Sequence, residues 1–175
     1  MTRTQLEHIL RAAAGITGAD QFIVIGSQSI LGPFPSAPQE LTRSIEADLF
    51  TLRSPADADL IEGTIGEGSP FHSTFGYHAH GVGIESAVLP SGWQQRLVQV
   101  RTPATAGATG LCLDVHDLAV SKLVAGREKD LDFLAALFTH RLADPAVVRS
   151  RLDSTVVAAE VRAVSEQRLT RLSKN

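Results

Sequence analysis

The sequence predicts an α+β fold: a small mixed β-sheet with flanking helices and a helical C-terminal half. Two observations carry this prediction. Over roughly the first two thirds, apolar residues come in short runs closed by Gly, Pro or Ser, such as Phe22-Ile23-Val24-Ile25 before Gly26. From Asp114 onward the apolar residues recur at helical spacing, most clearly over 128–142. The 175 residues, 43% of them hydrophobic, suffice for one domain with a sizeable core. That domain is expected to span 1–175, with its core over about 20–138 and its C-terminal helices over 139–172.

Each element has its own signal. Leu6, Ile9, Leu10 and Ala13 put a helix over 4–17, stopped by Gly15 and Gly18. Phe22–Ile25 reads as a strand buried on both faces, and Ser27 as the start of a helix through Leu31. Three prolines and a glycine make 32–40 a loop. Ile45–Thr51 reads as a strand, and 55–66 as a helix with Pro55 in its first turn. Residues 67–76 carry no decisive pattern. His78–Val88 and Arg96–Arg101 are expected as strands joined by the turn at Leu89–Trp93, with Trp93 anchoring that hairpin, and Gly110–Leu113 as a further strand. Asp114 caps a helix to about Ala125. Helices follow at 128–142, with Leu131, Leu134, Ala135, Phe138 and Leu142 on one stripe, at 145–152 and at 156–172.

Composition excludes several classes. The net charge of −3 argues against a strongly basic nucleic-acid binder, although residues 139–175 carry an excess of three positive charges on what reads as a solvated helix face. No apolar run approaches the roughly 20 residues that span a bilayer, and the first residues lack the apolar segment of a secretion signal. The one cysteine, Cys112, sits in an apolar run and reads as core. A cytoplasmic location without membrane contact is the expectation.

The chemistry concentrates on Glu46 and Asp48. Side chains two apart on a strand share a face, which puts both carboxylates together with Cα atoms roughly 6–7 Å apart. Such a pair repels itself and is costly to bury, and a divalent cation removes both difficulties. Mg²⁺, which combines a few carboxylates with phosphate oxygens, suits it. The Gly26-Ser27 turn allows close approach of a phosphate.

A buried strand, a Gly-Ser turn, a helix, and then a strand bearing acid–x–acid resembles the signature of the nucleotidyltransferase superfamily, the polymerase-β-like fold. Thr42-Arg43-Ser44-Ile45-Glu46-Ala47-Asp48-Leu49 and Lys122-Leu123-Val124-Ala125-Gly126-Arg127-Glu128-Lys129-Asp130 resemble two segments of the AbiEii-type and related minimal nucleotidyltransferase-like proteins of bacterial toxin–antitoxin systems. The likeness implies a nucleotidyltransferase-like fold and Mg²⁺-dependent transfer of NMP from an NTP to an RNA or protein hydroxyl. It also implies a cognate toxin or antitoxin partner. By the same likeness Glu46, Asp48 and Glu85, the last expected on a neighbouring strand, are the catalytic carboxylates and hold the metal, with Glu85 alternatively the general base. Gly26, Ser27, Lys122 and Arg127 bind the nucleotide, and Asp130 positions Lys122 or Arg127.

Two departures favour an alternative, an inert nucleotidyltransferase-fold module that binds or regulates. The first acid is Glu46 where Asp is usual, and the gap from Gly26-Ser27 to Glu46 is long. A remote alternative comes from His78-Ala79-His80 with Glu85 and Gly92, which resembles the first metal motif of the cupin barrels and would make His78, His80 and Glu85 ligands. No second motif with a later histidine follows. His8, His72, His116 and His140 are isolated and read as structural or surface residues.

Overall fold

The computed structural model describes residues 1–173. It holds a five-stranded mixed sheet and seven helices, an α+β fold. The strands are β1 (Gln21–Ile25), β2 (Glu46–Phe50), β3 (His78–Gly81), β4 (Val98–Val100) and β5 (Thr109–Cys112). Their order across the sheet is β3-β2-β1-β5-β4. β1 runs antiparallel to β2 and parallel to β5, β2 runs parallel to β3, and β4 runs antiparallel to β5. An open sheet of this order is not a cupin barrel, so the cupin reading falls.

β1 is central, and its Phe22, Ile23, Val24 and Ile25 are all buried, as a continuous apolar run requires. α1 (Arg3–Thr17) buries Leu6, Ile9, Leu10 and Ala13 and packs against α2 (Ala56–Ile65). α2 in turn lies on β3. The undecided stretch 67–76 contains a short helix, α3 (Pro70–Phe75), capped by the Ser69 hydroxyl.

The expected hairpin between the third and fourth strands does not form. β3 ends at Gly81, and β4 lies at the opposite edge of the sheet. Residues 82–97 therefore cross the molecule instead of turning back. The Pro90–Trp93 turn docks on the C-terminal half, with Ser91 Oγ donating to the Ser154 carbonyl at 2.8 Å. Trp93 is buried in a short 3-10 turn, Trp93–Arg96, and anchors that crossing.

Four helices form the C-terminal half: α4 (Val115–Ala125), α5 (Glu128–Thr139), α6 (Pro145–Asp153) and α7 (Ala159–Leu172). α4 packs against α5, α6 and α7. The buried stripe of α5 is Asp130, Phe133, Leu134 and Leu137; the expected stripe member Ala135 is exposed, and Leu142 lies beyond the helix end. Asp117 on α4 is fully buried and receives both Arg96 and Arg151, which staple the crossing segment and α6 to α4. No helix among the described residues is long and apolar enough to cross a membrane.

Candidate nucleotide and cation site

A cleft of about 940 Å³ opens between the ends of β1, β2 and β3 and helices α4 and α5. Its sheet side begins at the end of β1. Gly26 follows with φ +65°, a left-handed conformation that glycine adopts without strain. Glycine is also needed for space, because a Cβ here would lie 1.9 Å from Asp48 Oδ2. Asp48 is the register partner of Ile25 across the β1–β2 pair, and this brings its carboxylate onto the turn. The following Ser27–Leu31 is a single 3-10 turn rather than the expected helix, and Ser29 is buried with its hydroxyl donating to the Gly26 carbonyl at 2.9 Å. Ser27 is the hydroxyl that faces the cleft.

Alternation along β2 buries Ala47 and Leu49 and turns Glu46 and Asp48 into the cleft. Burial and the neighbouring Glu46 carboxylate push the Asp48 carboxyl above its ordinary value, against the opposing pull of His80 and Lys122.

β3 pairs with β2 so that His78 stands beside Glu46 and His80 beside Asp48. His80 Nδ1 is 3.1 Å from Asp48 Oδ1 and 3.8 Å from Glu46 Oε1. Ligand atoms of Glu46, Asp48 and His80 all lie within 4.8 Å of one another, so these three residues could hold one metal ion. Glu85 does not join them. The strand expected to carry it stops at Gly81, and Glu85 lies exposed in the turn Ile84–Ser86 with its carboxylate folded over its own Gly83. Glycines at 81 and 83 were the signal that the strand ends early.

The helical side of the cleft carries the cations. Lys122 is almost fully buried on α4 and does not snorkel to solvent. Its Nζ donates to Asp130 Oδ1 and to Ser27 Oγ, each at 2.9 Å, and lies 5.2 Å from the centre of the Phe133 ring. α4 ends at Gly126 in a left-handed conformation, and this tight turn brings Asp130 of α5 back to Lys122. Arg127 caps α5, with its Nε donating to Asp130 Oδ2 at 2.6 Å. Burial alone would raise the Asp130 carboxyl, but its hydrogen bonds from Arg127 and Lys122 outweigh that and hold it below the ordinary carboxylate range. Arg168 of α7 fills the space beside Gly126 and donates to the Leu123 carbonyl at 2.7 Å.

A family model described as "Nucleotidyltransferase of unknown function (DUF6036)" matches residues 4–172. The chain belongs to this nucleotidyltransferase family. No curated protein and no solved structure matches it. Seven of the eight site residues named from the sequence of this DUF6036 member (Gly26, Ser27, Glu46, Asp48, Lys122, Arg127 and Asp130) line the one cleft, and Glu85 is the exception. His80 was missed as a member of the carboxylate cluster because its place depends on the β2–β3 register, which no local pattern encodes.

Proposed function

We propose that this member of the nucleotidyltransferase family transfers NMP from an NTP to a hydroxyl of an RNA or a protein, with a divalent cation bound at Glu46 and Asp48. One observation carries the reading: the cleft has two walls of opposite charge. Asp130 faces two cations, Lys122 and Arg127, so that wall keeps a positive excess. Among the described residues, Glu46 and Asp48 face no lysine or arginine within ion-pair distance, so the sheet wall keeps a negative excess. A triphosphate with its cation matches both walls at once.

The donor set fits such a cation, with two carboxylates on one strand face and a third ligand atom beside them. Mg²⁺ is the expectation from the sequence resemblance. When bound, the cation would neutralise phosphate charge and lower the pKa of a coordinated hydroxyl. The chain's own residues do the remaining work. Gly26 leaves room for a phosphate beside Asp48, and Ser27, Lys122 and Arg127 hold the triphosphate. Asp130 fixes the Lys122 ammonium and the Arg127 fork. The acceptor hydroxyl releases its proton to solvent as its oxygen attacks the α-phosphorus, the bond from that phosphorus to the bridging oxygen breaks, and pyrophosphate leaves from the Lys122–Arg127 side.

The finer likeness of Thr42–Leu49 and Lys122–Asp130 to AbiEii-type proteins extends the proposal to one half of a toxin–antitoxin pair with a cognate protein partner. The inert-module reading has an observation of its own: a histidine, not a third carboxylate, stands beside Asp48. Thermal melting with each of the four NTPs, with no divalent cation, with Mg²⁺ and with Mn²⁺, on wild type and Asp48→Ala separates the two. A ligand at a hundred times its dissociation constant stabilises by about 2.7 kcal/mol, a shift of several degrees. A cation-dependent shift with an NTP, lost in Asp48→Ala, supports the nucleotide site, and labelled NMP transfer to RNA or protein then supports the activity. No shift with any NTP sinks the enzyme reading and leaves the inert module.

A further inference from the structure

We propose that His80 is the third cation ligand of this site and sets its preference toward Mn²⁺ over Mg²⁺. The inference rests on the proposed cation site and specifies its chemistry. β3 runs in parallel register with β2, so Asp48 and His80 are direct partners and point to the same side of the sheet. The His80 ring turns its Nδ1 toward both carboxylates, at 3.1 Å from Asp48 and 3.8 Å from Glu46. His80 is half exposed, so the three ligand atoms lie where water or phosphate can reach them.

A second observation is independent of that cluster. His78 is 4% exposed, and neither ring nitrogen has a hydrogen-bond partner among the described residues. Its Nε2 points at Glu46 Oε2 from 3.5 Å, slightly beyond a good hydrogen bond. An orphaned buried imidazole beside a carboxylate is the arrangement of a group that orients a metal-bound carboxylate. A small movement of Glu46 onto a cation would also give His78 its missing partner.

Between Mg²⁺ and Mn²⁺ the donor set makes the choice. Mg²⁺ favours oxygen ligands throughout and gains little from an imidazole. Mn²⁺ shares the taste of Mg²⁺ for carboxylates but, as a first-row transition-metal ion, takes an imidazole beside them more readily. The competing role for His80 is an imidazolium that neutralises Glu46 and Asp48, and this predicts the opposite sign on mutation.

The test is Mn²⁺ binding at fixed neutral pH. Free Mn²⁺ is followed by electron paramagnetic resonance and displaced by Mg²⁺, on wild type, His80→Ala, His80→Asp and Asp48→Asn. Circular dichroism checks each fold. The expected result is that His80→Ala weakens Mn²⁺ about tenfold or more while changing Mg²⁺ by less than about threefold. His80→Asp should narrow the Mn²⁺-over-Mg²⁺ preference by a similar factor. If His80→Ala leaves Mn²⁺ affinity unchanged or improves it while Asp48→Asn abolishes binding, His80 is not a ligand, and the two-carboxylate cation site survives. If Asp48→Asn also leaves binding unchanged, or wild type binds no Mn²⁺, the cation site falls and the role of His80 with it.

Discussion

Replacing Gly26 by alanine places a methyl group where Asp48 keeps an oxygen. The added Cβ would lie 1.9 Å from Asp48 Oδ2 and 3.0 Å from its Cγ. Ordinary contact needs about 3.5 Å, so the carboxylate must move by roughly 1.5 Å. The cost has two parts. Holding alanine at φ +65° costs about 1–2 kcal/mol. Turning Asp48 off its rotamer and away from His80 costs about 1–2 kcal/mol more. A double-mutant cycle in urea separates them. Gly26→Ala should cost about 2–4 kcal/mol in wild type but only the backbone part, about 1–2 kcal/mol, when Asp48 is already alanine. The same substitution should depress Mn²⁺ or NTP binding about a hundredfold, because a ligand displaced by an ångström is misplaced for its role. Equal costs in the two backgrounds would refute the reasoning: Gly26 would then serve the backbone alone and not the close approach to Asp48.

Three further predictions follow from the buried polar groups. Lys122→Met leaves Asp130 to Arg127 alone and should cost about 3 kcal/mol in urea unfolding, whereas Lys122→Met with Asp130→Leu should recover most of it; a neutral single variant refutes the pairing. Asp114 is held at about 2, where burial would raise it but hydrogen bonds from His116 and the Arg151 charge outweigh that. Its folded value is depressed, so its stabilisation, on the order of 2 kcal/mol, is complete above pH 3.8 and lost as pH falls toward about 2. Asp114→Asn should flatten that limb of an acid titration followed by circular dichroism, and an unchanged limb counts against the assignment. Gln28 is 1% exposed and neither amide atom has a partner among the described residues, so Gln28→Met should stabilise by about 1 kcal/mol in urea. A loss of stability would show that the amide is satisfied.

The sheet and the helices were legible where the signal is local. Phe22–Ile25 reads as a buried strand from its short length, its β-branched residues and the glycine that closes it, and Asp114 announces α4 through its side-chain cap. The pairing of Glu46 with Asp48 followed from period two alone. Lys122 against Asp130 needed the family resemblance, since eight residues spanning a glycine turn give no periodic signal. What failed was long-range. Leu89–Trp93 has good turn chemistry, but a turn's residues do not say which strands it joins, and the contacts of Ser91 with Ser154 and of Arg96 with Asp117 hold the crossing on the helical half. Glu85 was placed by counting along a strand that Gly81 ends. A glycine there is required because a Cβ would strike the Ala58 carbonyl of α2 at 1.9 Å.

The two departures from the superfamily signature can be judged by where they fall. A long insertion between the Gly-Ser turn and the acidic strand would disable the site if it moved Asp48 off the turn. It does not: Asp48 still pairs with Ile25 and touches Gly26. The insertion is tied down at its far end instead. Leu41 is buried in the core, and Glu40 meets His140 Nε2 at 2.8 Å beyond the end of α5, across the cleft mouth. The extra length therefore builds a wall of the cleft without entering the register that sets the carboxylates. Glu46 for Asp is accommodated differently. Its longer side chain reaches sideways to the β3 histidines, where a shorter one would end nearer its own strand. On this geometry Glu46, His78 and His80 form one contiguous group: a longer acid on β2 with imidazoles on β3. Glu46→Asp alone should then weaken cation binding about tenfold, since it restores the common residue while withdrawing it from the partners this chain supplies. Tighter binding in Glu46→Asp would show that the glutamate is a simple loss, and that the inert-module reading has the better claim on the site.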